Sequence, residues 1–185
     1  LWGAWFSDPL NGTAVGQYSR ARRTTDAGGT WEYRSSEAWQ GSFAGVHFIN
    51  SNVGTVAGPL ILRTSDAGNN WTQQPKPTGQ FLEDVYFTDI NYGTAVGGGG
   101  TILRTTNGGG EWTSQTSGTG QGLVGVSFAT RDSGWVVGGG GVILRTTTGG
   151  STWESQTSGT TQKLFDVWFT DRSTGTVVGA GGTIL

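Results

Sequence analysis

Cysteine is missing from this chain of 185 residues, and with it any disulfide framework or thiolate metal site, so the fold is indifferent to redox compartment. Methionine is missing as well, and a chain that begins at Leu1 without an initiator reads as processed, excised or incompletely represented. Charged residues make up only 13% of the sequence, about half the usual ~25%. With a formal charge of −2 there is no electrostatic reason to expect nucleic acid or an anionic membrane surface as a partner. No apolar run approaches the ~18 residues of a membrane span, and no signal peptide is visible, although a removed export signal is compatible with the chain. His47 is the only histidine, and with no cysteine beside it the expectation is no metal and no cofactor.

Glycine and repetition fill the space those absences leave. Glycine supplies 35 residues, far above the usual ~7%, and it recurs at fixed positions as turn punctuation rather than forming a linker. Phe6, Phe48, Phe87, Phe128 and Phe169 are spaced 42, 39, 41 and 41 apart; Trp31, Trp71, Trp112 and Trp153 are spaced 40, 41 and 41. A unit of that length cannot bury its own apolar face, so neighbours must stack to make a core. The repeats run 1–42, 43–81, 82–122 and 123–163, with half a unit at 164–185.

The third copy is the most regular. Leu82 to Phe87 alternates as a half-buried strand; Thr94 to Val96, Thr101 to Thr105 and Glu111 to Gln115 read as three more, separated by Asp, Asn and Gly turns. Four short strands in ~41 residues predict one blade of an all-β propeller built from four-stranded antiparallel sheets, four and a half blades being visible. The third-to-fourth turn carries a specific motif, Ser/Thr-x-Asp-x-Gly-x-x-Trp, with Asp26, Gly28 and Trp31 in the first copy and Asp66, Gly68 and Trp71 in the second. It resembles the Asp-box, or BNR repeat. The carboxylate can accept turn amides, the glycine permits a left-handed backbone, and the tryptophan buries its ring. Asn107, Gly109 and Trp112, then Thr148, Gly150 and Trp153, continue the motif with weaker side-chain acceptors in place of the carboxylate. A catalytic or metal-binding acid would not tolerate that exchange, so the motif is expected to be structural.

The Val-x-Phe strand, the Gly-Thr-Ala-Val-Gly segment and the Ile-Leu-Arg-Thr-Thr-(Asp/Asn)-Gly-Gly-x-x-Trp segment together resemble the photosystem II stability/assembly factor family across essentially the whole chain. The resemblance implies a propeller, usually of seven blades, that acts outside the cytoplasm (periplasm, thylakoid lumen or secreted) as a non-enzymatic binding or assembly scaffold. This chain is too short for seven blades of ~41 residues. Gly179 to Leu185 matches Gly97 to Leu103, so the last unit stops inside a strand. An open sheet edge of that kind is avoided in natural folds, and a fragment of a longer propeller, or a half-blade completed by a second copy, is the expectation.

Residues that break the repeat on exposed loops are the candidates for function. Tyr18, Arg20 and Arg22 lie in a basic stretch where the third copy has an apolar strand, and guanidinium groups bind carboxylate or phosphate in a bidentate fashion. The bland alternative is an edge blade that discourages strand addition. Glu37 and Trp39, and Lys76 in the next copy, lie on loops leading into the following blade, expected on the face opposite the Asp-boxes; Trp39 could equally pack over its neighbour. Arg23, Arg63, Arg104 and Arg145 share one position in four copies and read as ties between elements, although the resemblance also allows arginine patches that meet a partner. His47 replaces Trp5, Tyr86, Ser127 and Trp168 at one position and reads as space-filling, and Asp84 and Asp166 repeat another position. The expectation is a scaffold that recognises protein or glycan through its loop face. The alternatives are a fragment of an Asp-box glycosidase, which would need an unrepeated carboxylate pair, and a structural protein self-assembling through its open blade.

Overall fold

A computed structural model of the protein describes residues 1–18, 21–34 and 41–185. Every described sheet is an antiparallel meander. The first contains β1 (Gly3–Phe6), β2 (Gly12–Val15), β3 (Ala21–Thr24) and β4 (Glu32–Tyr33); the second β5 (Gly45–Phe48), β6 (Gly54–Ala57), β7 (Ile61–Thr64) and β8 (Thr72–Gln74). The third contains β9 (Leu82–Phe87), β10 (Gly93–Gly97), β11 (Thr101–Thr105) and β12 (Thr113–Gln115). The fourth contains β13 (Leu123–Phe128), β14 (Gly134–Gly138), β15 (Ile143–Thr146) and β16 (Glu154–Gln156), and β17 (Leu164–Phe169) pairs with β18 (Gly175–Gly179) in the fifth. The first strands β1, β5, β9, β13 and β17 pack side by side in that order around a common axis, the arrangement of propeller blades. The fold is the all-β propeller read from the repeat.

Apolar burial lies between blades rather than within them. Val15 and Ala21 of the first sheet meet Phe43, Val46 and Phe48 of the second. Ala57 and Ile61 meet Leu82, Val85 and Phe87, and Val96 and Ile102 meet Leu123, Val126 and Phe128. In each blade a further triad is repeated. The ring of Phe48, Phe87 or Phe128 meets the Asp-box tryptophan of its own blade edge-to-face, at 5.9–6.2 Å between centroids. The same ring lies over the glycine that opens the second strand, where a Cβ on Gly54, Gly93 or Gly134 would approach it to 2.5 Å. The repeated glycine is therefore a seat for the repeated phenylalanine.

The repeated arginines bind one blade to the next. Arg23, Arg63 and Arg104 donate from Nη2 to the carbonyl oxygens of Ser51, Ile90 and Arg131, at 2.7, 2.8 and 3.1 Å, in the first turn of the following blade. Each guanidinium also lies over that blade's phenylalanine, Phe48, Phe87 or Phe128. The fourth blade departs from this pattern because Trp135 stands where the others have threonine. Its ring stacks on Phe169 at 3.6 Å, and Arg145 lies over Trp135 instead.

Two details differ from the sequence reading. The fourth strand of the third copy starts at Thr113 rather than Glu111, because Asn107 Oδ1 accepts the Glu111 amide and holds that residue in the turn. In the first blade the basic stretch does not abolish the strand: Ala21 fills the core, while Arg22 stands where Leu62, Leu103 and Leu144 are buried. That face, with Phe6 44% exposed, meets solvent, as does Val178 at the far end, whose counterparts Val15, Ala57, Val96 and Val137 are fully buried.

Candidate functional site

The two ends of the blade array are built differently. Each inner strand runs from a broad mouth toward the Asp-box end. The residue just before the repeated phenylalanine points into the centre, where Trp5, His47, Tyr86 and Trp168 converge. Trp5 and His47 are 4.3 Å apart by centroid, His47 and Tyr86 4.5 Å, and Trp5 meets Trp168 at 5.6 Å. Burial drives the His47 pKa down to about 3, so its ring is neutral, and its buried Nδ1 has no hydrogen-bond partner. Above this aromatic floor opens a cavity of about 810 Å³, walled by the first residues of the five inner strands, with Trp2, Phe81 and Phe165 at the mouth.

Acids are the charged groups among the described residues of that wall: Glu83, Asp84 and Asp166 line it, and no lysine or arginine does. Asp84 accepts the amide of Val85 on one oxygen, at 2.8 Å, and that of Val126 in the next blade on the other, at 2.9 Å. Burial outweighs these bonds, with the Asp166 charge adding to it, and raises its pKa to about 7. Asp166 accepts the Val167 amide at 2.8 Å and is also raised by burial. Trp5 Nε1 donates to Phe48 O at 2.8 Å, and Ser127 Oγ accepts the Phe169 amide at 3.1 Å, so channel side chains stitch neighbouring blades together.

At the opposite end, the four Asp-box turns share one hydrogen-bond scheme. The hydroxyls of Thr24, Thr64, Thr105 and Thr146 each accept the amide of Gly28, Gly68, Gly109 or Gly150 at 2.9 Å. Asp26, Asp66, Asn107 and Thr148 each accept the amide four residues on, at 2.8–3.0 Å. The Thr24 hydroxyl and the amide and hydroxyl of Thr30 hold the Asp26 pKa down to about 2. Trp71 and Trp112 are buried and Trp31 and Trp153 half-buried against their blades. Ala27 and Ala67 hold positive φ of 60° and 63°, where the later copies have Gly108 and Gly149. The first two turns thus combine a strong acceptor with a strained alanine, and the last two a weaker acceptor with a relaxed glycine.

Of the loop candidates, Arg20, Glu37 and Trp39 lie outside the described residues. Tyr18 is 79% exposed with a φ of 58°. Arg22 lies over the Tyr33 ring at 4.5 Å. Lys76 turns back on its own loop, donating to the carbonyl oxygens of Thr78 and Gln80 at 3.0 and 2.6 Å. None of these described residues lines the cavity. Trp5, Tyr86 and Trp168 do, and sequence reasoning met them only as replacements for His47. The available signal was variation at one register inside an otherwise constant strand.

Solved structures with this fold include YCF48 bound to D1 peptide, at a TM-score of 0.76 and 22% identity, covering 99% of this chain and 61% of that one. YCF48 from Cyanidioschyzon merolae matches at 0.76 and 20% identity, covering 95% of this chain and 65% of that one. The chain therefore spans somewhat less than two thirds of the length of these structures. The GH74 xyloglucanase from Xanthomonas campestris shares the fold at 0.75 and 14% identity, covering 96% of this chain and 34% of the enzyme. No curated protein matches the sequence. The family model for photosynthesis system II assembly factor YCF48 matches residues 72–157 and 113–185, together more than half of the chain. With its repeated blades and Asp-box turns, this chain belongs to the photosynthesis system II assembly factor YCF48 family.

Proposed function

We propose that this protein is a non-catalytic binding module that recognises a peptide segment of a protein partner through the face opposite the Asp-boxes. The observation that carries the proposal is the cavity of about 810 Å³ on that face, lined where the repeats differ from one another. Concave, mostly apolar sites with a few fixed polar groups are where proteins take ligands. Family membership supports the reading, as does the description of a solved relative in its fold as bound to a peptide.

The likeness to GH74 enzymes keeps a glycosidase in view, and Asp84 with its raised pKa is the group such a reading would use. Both of its oxygens, however, accept backbone amides of the cavity wall, which suits a structural clamp better than a proton donor to a glycosidic oxygen. Selection of a displayed random-peptide library on the protein, beside an assay of xyloglucan hydrolysis, tests the proposal. Enriched peptides that lose binding in Trp168→Ala and retain it in Asp66→Asn are expected, with no hydrolysis. An unenriched library, or turnover of xyloglucan, would overturn it.

A further inference from the structure

The cavity combines two features that rarely meet by accident, aromatic faces and carboxylates with no basic group among them. Trp5, Tyr86 and Trp168 present ring surface at its floor, and Asp84 and Asp166 stand on the wall two blades apart. Elsewhere in the molecule the aromatic rings of the repeat already receive cations. Arg63 lies 4.7 Å from the Phe87 ring and Arg104 5.1 Å from the Phe128 ring, and Arg131 lies 3.8 Å from the Tyr92 ring while paired with Asp89. In the cavity the same two kinds of partner are assembled and the cation is not supplied by the described lining.

We infer that the channel mouth receives a cationic side chain, arginine or lysine, projecting from the partner's peptide segment, with its apolar stem against the aromatic rings and its charge between Asp84 and Asp166. The inference rests on the proposed peptide-binding role and narrows it to a ligand class. Three properties of the site point to this occupant. A cation over an aromatic face is attracted by the ring quadrupole, more strongly when water is excluded. Long basic side chains carry an apolar stem that matches an aromatic wall and a polar tip that does not have to be desolvated on all sides. Each carboxyl is held by the amide of its own strand, so its orientation is set before the ligand arrives. The incoming charge would also offset the desolvation that raises the pKa of both acids.

Neutral and acidic side chains are disfavoured by the same groups. A carboxylate would meet three acids of its own sign, and a neutral amide would gain the ring contact without the charge. Arginine fits the pair better than lysine does, because a planar guanidinium can stack on a ring and face two carboxylates together.

The test is calorimetric titration of the intact protein with four blocked peptides identical except for a central Arg, Lys, Gln or Glu. Binding of the Arg and Lys peptides about tenfold or more tighter than Gln, with Glu weakest, is expected. Asp166→Asn, on the exposed fifth blade, should weaken the Arg peptide about fivefold or more and leave the Gln peptide unchanged. Circular dichroism on each variant confirms that it is folded, and the comparison of peptides on the wild-type protein needs no variant. Equal affinity for Arg and Gln, or binding of neither, overturns the inference. Library-selected peptides lacking basic residues that still require Trp168 would overturn it while leaving the peptide-binding role intact.

Discussion

The Asp-box end and the channel mouth are made by the same strands, yet one end repeats and the other does not. At the Asp-box end, four turns place a hydroxyl and a side-chain acceptor on equivalent amides, and the phenylalanine, glycine and tryptophan of each blade recur with centroid distances within a few tenths of an ångström. At the mouth, one register holds Trp5, His47, Tyr86, Ser127 and Trp168, and another holds Asp84 and Asp166 where the remaining blades have Gly3, Gly45 and Gly125. A contact needed once per blade has to be repeated, because every blade faces the same packing problem. A contact made with one ligand at the axis has to differ from blade to blade. Periodicity therefore marks the packing contacts that every blade repeats, while the non-periodic channel residues differ from blade to blade and in part, as at Trp5, Asp84 and Ser127, also tie neighbouring blades.

Substitutions at the periodic end should act on stability first. Phe87→Ala removes the ring that meets Trp112, receives Arg63 and covers Gly93, and should cost about 3–5 kcal/mol in urea unfolding. A loss below about 1 kcal/mol would show that the triad is ornamental. Gly134→Ala should cost about 1–3 kcal/mol, since the new Cβ would meet the Phe128 ring at 2.5 Å. The corresponding change at Gly79, where a Cβ meets nothing within 4 Å, should be near neutral and serves as its control.

The ends should also respond oppositely to pH. Asp84 binds its proton more tightly in the folded protein, at about 7, than in the unfolded chain near 3.8. Its stabilising contribution is complete below about pH 4 and is lost as pH rises through about 7, by no more than about 1.4 kcal/mol per pH unit. Asp26, held down to about 2 from 3.8, contributes above about pH 4 and loses that contribution as pH falls through about 2. The urea midpoint should therefore fall between about pH 4 and about pH 7, and Asp84→Asn should flatten that decline without altering the acid limb. A variant that keeps the full decline would assign it to another group.

At the exposed side of the mouth, stability should be nearly indifferent. Trp168 is 47% exposed, and Trp168→Ala should change stability by less than about 1 kcal/mol while abolishing peptide binding. The smallest effect is expected at Ala67, whose positive φ of 63° glycine adopts without strain: Ala67→Gly should stabilise by up to about 1 kcal/mol, read as a rise in the thermal midpoint. No gain would mean that the turn relaxes around alanine.

Much of the periodic end is legible without coordinates because each of its contacts is local or occurs at the next repeat. Asn107 and Thr148 keep an oxygen where Asp26 and Asp66 have one, and the turn they cap lies within five residues. The arginine ties needed the structure, because nothing in Arg63 itself names the carbonyl of Ile90 as its acceptor. The mouth was less legible for a geometric reason. Trp5, Tyr86 and Trp168 sit inside strands, more than forty residues apart, and meet only when the blades close around an axis. A search for variation confined to loops passes over them, and it favoured Tyr18, Arg22 and Lys76, none of which reaches the cavity.

The most direct test is a ¹⁵N spectrum of the nine tryptophan indoles, assigned by substitution, during titration with the arginine-centred peptide. Shifts confined to the cavity indoles of Trp2, Trp5 and Trp168, with Trp31, Trp71, Trp112 and Trp153 unmoved, are the predicted result. Shifts at the Asp-box indoles, or at none of the nine, would contradict the division of the blade array into a scaffold end and a binding end.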